Sequence, residues 1–436
     1  MKTRYARRSV FPPRFMKILR SSPEKKRYRS LGWSATRWNA TSPINGHCFE
    51  SRGKTVPSFY EFFAGGGMAR AGLGDGWECL FANDVDEKKA SSYAANWGRK
   101  GLKIEDVGKL TPADLPQRAD LAWASFPCQD LSLAGAYAGL SGERSGTFWP
   151  FWRLMERLEK EGRAPSLIVL ENVCGALTSH EGKDFSAIGE ALTASGYRFG
   201  AIVIDAVRFV PQSRPRLFII GLLDDRKVPL NLIEDGPDPT FHPANLVGAF
   251  EKLSQRSKAA WIWWRLPSPS PRRAVFADLI DENPQGVEWH TVDETRRLLS
   301  LMTPLHRRKV AQAKKMGRTM VGGVYKRTRV DADGERGQRA EVRFDDLAGC
   351  LRTPVGGSSR QSIIVVDRTT VRSRLLAPRE AARLMGLDEG YILPDRYNDA
   401  YHLVGDGVVV PVVRFLAEHI LEPLLAAQVA RNEQAA

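Results

Sequence analysis

Ser58-Phe59-Tyr60-Glu61-Phe62-Phe63-Ala64-Gly65-Gly66-Gly67-Met68 is an apolar run that ends in three consecutive glycines. A buried strand followed at once by a glycine turn and a helix opens a βαβ unit and leaves backbone N–H groups bare for a ligand. Three glycines alone are as often an ordinary flexible turn, and the spacing is not GxGxxG. The stretches further along decide it. Short apolar runs at 58–63, 78–83, 121–125, 167–170, 201–206 and 217–222 alternate with helical stretches at 87–96, 148–160 and 185–195. This alternation predicts a largely parallel sheet flanked by helices. Helices are also expected at 378–385 and 411–421, each with a proline at or beside its start, returning to the same layer.

With 436 residues, 43% of them apolar, the chain can bury one large or two ordinary cores. Its five cysteines, Cys48, Cys79, Cys128, Cys174 and Cys350, are odd in number and show no CxxC spacing, which speaks against a disulfide framework or a zinc ribbon. No apolar run approaches the length of a membrane helix, and the N-terminus lacks a secretory core, so a cytoplasmic setting is expected. The formal charge of +14 is unevenly spread. Residues 1–56 carry 14 Lys/Arg against two acids, residues 251–330 carry 17 against seven, and the remainder is net acidic. The first block shows no helical or strand period and reads as a basic disordered tail, a spurious upstream start being equally consistent. Within the second, Arg307, Arg308, Lys309, Lys314, Lys315, Arg318, Lys326, Arg327 and Arg329 occur with no acid between Leu301 and Arg329. Such a run is either a solvated face or a polyanion-binding surface.

Three acids and a thiol stand at strand ends. Asp84 follows Gly65 by 19 residues at the end of the second strand, where an acid faces ribose hydroxyls in nucleoside pockets; Asp86 is its near competitor. Asp106 follows Ile104-Glu105 at what reads as a further strand end, from which a carboxylate can accept an adenine amino hydrogen. Each acid singly reads as a cap or turn residue. The fourth strand runs into Ser125-Phe126-Pro127-Cys128-Gln129, so the thiol lies at the sheet edge where open α/β sheets bind ligands. The next strand ends in Glu171-Asn172-Val173, delivering a carboxyl to the same edge as a candidate proton donor. Gln212-Ser213-Arg214-Pro215-Arg216 then supplies two guanidiniums able to orient a base carbonyl or to activate a neighbouring thiol.

These segments, in this order, resemble the DNA (cytosine-5)-methyltransferases of the bacterial and phage type. The resemblance rests on Phe-Ala-Gly-Gly-Gly at 63–67, Asn-Asp-Val-Asp at 83–86, Glu-Asp-Val at 105–107, Pro-Cys-Gln at 127–129, Arg-Ser-Gly at 144–146, Glu-Asn-Val at 171–173 and Gln-x-Arg-x-Arg at 212–216. It continues through Leu-Arg-Thr-Pro at 351–354, Pro-Arg-Glu-Ala-Ala-Arg-Leu-Met-Gly at 378–386 and Val-Gly-Asp-Gly-Val-x-x-Pro-Val at 404–412. It covers about 57–222 and 345–422. The fold it implies is a Rossmann-like methyltransferase sheet flanked by helices, with a smaller inserted target-recognition domain, mostly irregular or β. The expected organisation is a tail at 1–56, a catalytic and cofactor-binding domain at 57–224, target recognition at 225–350 and a return to the catalytic domain at 351–436.

The resemblance implies that Cys128 attacks carbon 6 of a flipped-out cytosine and that S-adenosylmethionine then methylates carbon 5. Glu171 would hydrogen-bond the ring, and Arg216, supported by Arg214, would hold the base. Phe63 would carry the adenine, Asp84 the ribose and Asp106 the amino group, with Gly65 and Gly67 letting the backbone approach and Ala64, Pro127 and Asp406 completing the cofactor site. No metal is expected. The implied partner is double-stranded DNA, bound by the basic run, with the chain a monomer and a cognate restriction endonuclease on the same site left open. Two departures stand out: Met68 replaces a common glycine, and Asp406-Gly407 stands where Asn-Ser or Asn-Ala is usual. A third is Asp130-Leu131 after Pro-Cys-Gln. Two alternatives remain, an RNA (tRNA) cytosine-5 methyltransferase, which shares Pro-Cys-Gln and Glu-Asn-Val, and a catalytically silent DNA-binding protein.

Overall fold

The computed structural model describes residues 56–127, 147–330, 334, 336–351 and 360–435, the last seven as backbone only. The tail at 1–56 therefore lies outside the described residues apart from Val56. So do Cys128, Asp130, Leu131 and the Arg-Ser-Gly motif.

The first half alternates as expected: β1 (Ser58–Phe62), α1 (Met68–Leu73), β2 (Glu78–Asp84), α2 (Glu87–Trp97), β3 (Leu102–Ile104), β4 (Leu121–Ala124), α3 (Phe148–Lys160), β5 (Leu167–Val173), α4 (Lys183–Ala194), β6 (Tyr197–Asp205) and β7 (Pro215–Leu223). The seven strands lie in the order β3-β2-β1-β4-β5-β7-β6. Neighbours from β3 to β5 run parallel, while β7 is antiparallel to both β5 and β6. Because the sheet is covered on both faces, its strands are apolar at nearly every position and divide by parity. Phe59, Trp123, Leu167, Val169 and Phe218 enter one core with the C-terminal helices. Tyr60, Phe62, Ala124, Ile168, Leu170 and Ile219 enter the other, with α3 and α4.

The region beyond 224 is mostly irregular or β, as expected, and also carries α5 (Ala244–Glu251), α6 (Gln255–Ala259), α7 (Val292–Ser300) and α8 (Pro304–Lys315). Its first part also still serves the large sheet. Ile262 N–H donates to Phe199 O at 2.7 Å, and Phe199 N–H donates to Ala260 O at 2.9 Å, so this segment covers the β6 edge. Trp261, Trp263 and Phe250 pack ring to ring there, at centroid separations of 4.9–5.2 Å.

A second, antiparallel sheet has the order β11-β10-β8-β9, from β8 (Met320–Val330), β9 (Arg336–Arg343), β10 (Ser362–Asp367) and β11 (Thr370–Leu375). Its ladder thus runs past 350, where a return to the catalytic layer was expected; the return comes at α9 (Pro378–Leu384). One face of this sheet packs α7 and α8 through Leu298, Val310 and Ala313. The other gives Val321, Ile363 and Val365 to the core of the large sheet. The chain closes with α10 (Tyr397–Asp406), α11 (Val410–Leu416), a π turn at Ala417–Leu421 and α12 (Glu422–Ala435).

Candidate active site

A cavity of about 590 Å3 opens at the carboxyl ends of β1, β2, β4 and β5. Its wall includes Phe63, Ala64, Gly65, Asp84, Pro127, Glu171, Arg216 and Asp406, eight of the residues expected at the site. The placement follows from parallel strands, which all end at one edge.

The glycine turn is fixed from both sides. Gly65 and Gly67 have φ of +56° and +76°, and a Cβ on Gly67 would lie 2.3 Å from Trp97 Nε1, so both conformation and space demand glycine there. Phe63 shares the left-handed region at +56°, an uncommon conformation for a bulky residue, and it borders the cavity. Behind the turn, Tyr391 Oη and Trp97 Nε1 both donate to Gly66 O, at 2.7 and 3.0 Å. In front, Asp84 accepts from Gly65 N–H and Asp86 N–H, each at 2.8 Å. Each carboxylate oxygen keeps a lone pair for a ligand hydroxyl. Burial raises the Asp84 pKa against the pull of those amides. Its competitor Asp86 caps α2.

Asp106 stands apart. It is exposed at the end of β3, accepts from Gly108 N–H at 2.7 Å and does not border the cavity, so its role in the structure is that of a local cap. Glu61 belongs to none of the motifs yet lies at the site. It is 1% exposed, borders the cavity and accepts from Arg70 N–H at 3.3 Å, while its Oε2 has no partner. Burial pushes its carboxyl up to about 8. An acid inside an otherwise apolar strand was the available signal.

At the chemical end, Arg216 Nε lies 3.2 Å from Glu171 Oε1, with both side chains largely buried. Asn172 Nδ2 donates to Phe126 O at 3.4 Å, tying the end of β5 to the segment that leads through Pro127 to position 128. Arg214 does not join this pair. It is 2% exposed and points away, donating through Nη2 to Gly405 O (2.8 Å) and Gly407 O (2.7 Å). The expectation that it supports the base is therefore corrected: its guanidinium is directed at the C-terminal segment, where backbone carbonyls take Nη1 and Nη2 while the buried Nε has no partner. It also approaches Cys350 Sγ at 3.3 Å, and Arg216 does so at 4.0 Å. Burial works against the Cys350 thiolate, but these guanidiniums outweigh it and lower the pKa. Among the described thiols it is Cys350, which no motif signalled, that lies beside the arginine pair. Cys174, by contrast, is pushed up to about 11 by burial.

A family model described as C-5 cytosine-specific DNA methylase matches residues 58–422. The chain belongs to this family. It is a DNA (cytosine-5-)-methyltransferase. The type II methyltransferase M1.ScrFI of Lactococcus lactis subsp. cremoris is 26% identical over 379 residues, covering 86% of this chain and 81% of that protein. The type II methyltransferase M.HpaII of Haemophilus parainfluenzae is also 26% identical, over 84% of this chain and 90% of its own. The solved methyltransferase EhMeth of Entamoeba histolytica shares the fold at a TM-score of 0.53 and 14% identity, over 85% of this chain and 99% of its own.

In this methyltransferase the basic run divides between two elements. Arg307, Arg308, Lys309, Lys314 and Lys315 ride on α8, whose Val310 and Ala313 face the second sheet. Lys326, Arg327 and Arg329 lie on β8, and Arg318 lies between. Glu341 pairs with Arg329 at 2.5 Å and with Arg327 at 3.5 Å, and Asp346 reaches Arg318 at 3.8 Å. Across the ladder Arg327 faces Arg339, a like-charge register that disfavours the sheet by itself. No metal-holding group of three or more His, Cys, Asp or Glu occurs among the described residues, and no helix there is long and apolar enough to cross a membrane.

Proposed function

We propose that the enzyme transfers the methyl group of S-adenosylmethionine to carbon 5 of a cytosine rotated out of duplex DNA, with Cys128 as nucleophile. The observation that carries this reading is the Glu171–Arg216 pair, which shares one cavity with the glycine turn and with Pro127, the residue bonded to Cys128. The cavity suits a cationic nucleoside donor: an aromatic residue at Phe63, acceptors on Asp84 and an unpartnered, buried Glu61 oxygen.

In this mechanism the Cys128 thiolate adds to carbon 6, and the electron pair moves into the ring toward carbon 5 and nitrogen 3. Glu171 hydrogen-bonds the ring nitrogen and amino group, stabilising the charge that develops there. Arg216 holds Glu171 in place and faces the base. The bound cofactor supplies an electrophilic methyl group, leaving as the neutral thioether. A water molecule takes the proton from carbon 5, and the electron pair left behind forms the 5,6 double bond as the carbon 6–sulfur bond breaks, restoring the aromatic ring and releasing the Cys128 thiolate. Phe63, Ala64, Gly65, Gly67, Asp84, Asp106 and Asp406 are the proposed cofactor residues, with Gly67 and Asp106 standing outside the cavity lining. Glu171→Gln is expected to lower kcat by about 10²–10³ while leaving S-adenosylhomocysteine affinity near its parental value. A variant that keeps full turnover would remove Glu171 from the chemistry.

Rotating a base out of the stack costs a few kcal/mol, and interactions with the duplex must offset it. We assign these to the basic face of α8 and β8. Neutralising Arg307, Arg308 and Lys309 together is expected to weaken binding to every duplex sequence and to reduce the slope of log K against log salt by about 0.9 for each phosphate no longer neutralised. A slope equal to the parent's would place this face in solvent. The substrate class is tested by incubating the enzyme with methyl-labelled S-adenosylmethionine and either duplex DNA or tRNA. Label is expected in DNA; label in RNA alone, or in neither, contradicts the reading.

A further inference from the structure

Met68 and Gly407 lie 339 positions apart in the chain and meet at the cavity wall. Gly407 has φ −76° and ψ 173°, a conformation open to any residue, so its backbone does not require glycine. Space does. A Cβ at 407 would fall 2.1 Å from Met68 Sδ, 2.8 Å from its Cε and 3.2 Å from its Cγ.

The backbone at 407 is not free to withdraw. Arg214, buried at 2% exposure, holds Gly405 O and Gly407 O at 2.8 and 2.7 Å. On the adjoining residue, Asp406 Oδ2 is paired with Lys89 Nζ at 2.8 Å. The group able to yield is the thioether, which has three rotatable bonds. Met68 is itself 2% exposed and packed in the core with the C-terminal helices, and the open volume it borders is the cavity.

We propose that Met68 and Gly407 are a matched pair: the bare Cα at 407 is the berth that keeps the Met68 thioether out of the space the cofactor occupies. Met68 is then a positioning residue for cofactor binding, and any side chain at 407 converts it into an internal blocker. The two departures from the family pattern become one exchange, with the side chain gained at 68 occupying the volume given up at 407. This deepens the cofactor reading and rests on it.

The test is S-adenosylhomocysteine binding by calorimetry, with thermal melting in parallel, for the full chain and for Gly407→Ala, Met68→Ala and the double variant. Gly407→Ala is expected to melt near the parent temperature and to bind about tenfold more weakly or worse, because the displaced thioether enters the ligand's space. Adding Met68→Ala to it should recover most of that deficit. Parental affinity in Gly407→Ala overturns the proposal, as does a double variant no better than Gly407→Ala. A collapse of the melting temperature in Gly407→Ala also overturns it, because the thioether then has no room to move. Failure of the unaltered enzyme to bind S-adenosylhomocysteine would instead sink the cofactor reading, and this inference with it.

Discussion

Replacing Cys128 with serine is expected to cut methyl transfer on the order of 10⁴-fold or more while leaving duplex binding and its salt dependence near the parental values. A hydroxyl is far less ionised than a thiol near neutral pH and adds poorly to carbon 6, so carbon 5 is never made nucleophilic. The phosphate interactions assigned to α8 and β8 are untouched by this change. The residue is bonded to Pro127, which lines the cavity and follows Phe126, whose carbonyl accepts from Asn172 Nδ2. Turnover is read from label transfer and binding from a titration at several salt concentrations. Near-parental turnover in Cys128→Ser would remove the thiol from the mechanism.

The largest stability effect is expected at Arg374. This side chain and Glu380 are both fully buried and form a bidentate pair, with Nη1–Oε2 2.7 Å and Nη2–Oε1 2.6 Å. Most of their spare capacity is used locally, Arg374 Nε being left without a partner. Glu380 accepts from Ala377 N–H at the start of α9 and from Asp281 N–H, and Arg374 donates to Asp281 O. The pair therefore fastens β11 of the second sheet to the helix that re-enters the first layer. Arg374→Met leaves a buried carboxylate uncompensated, which costs about 3–5 kcal/mol and lowers Tm by roughly 4–6 °C. Coupling Arg374→Met with Glu380→Leu is expected to be milder than the single change, since no charge is then stranded. Chemical denaturation of the three variants measures this, and a single-variant destabilisation under about 1 kcal/mol would show the pair to be dispensable.

The large sheet was legible in the chain because strands buried on both faces are written as nearly unbroken apolar runs, and the strands ending at Phe62, Asp84, Ala124 and Val173 deliver their terminal and following residues to one edge. That local rule is enough to put Asp84, Pro127 and Glu171 on the cavity wall. It is silent on what depends on distant partners. The strands Ser362–Asp367 and Thr370–Leu375 belong with Met320–Val330, some 40 residues upstream, and nothing local marks that pairing. Arg214 and Arg216 look equivalent in a Gln-x-Arg-x-Arg motif, yet the first is spent on Gly405 and Gly407 and the second on Glu171. Asp106 has the spacing of a ligand residue and the geometry of a cap. Glu61 and Cys350 belong to no motif, and only burial beside the glycine turn and beside two guanidiniums singles them out.

Thiol addition at carbon 6 commits the enzyme to one position on the base, because it is carbon 5, and no exocyclic nitrogen, that becomes electron-rich. Duplex DNA methylated by the purified enzyme, digested to nucleosides and separated by mass spectrometry, should contain the new methyl group solely as 5-methyldeoxycytidine. A methyl group found on the amino nitrogen of cytosine or adenine would contradict the account.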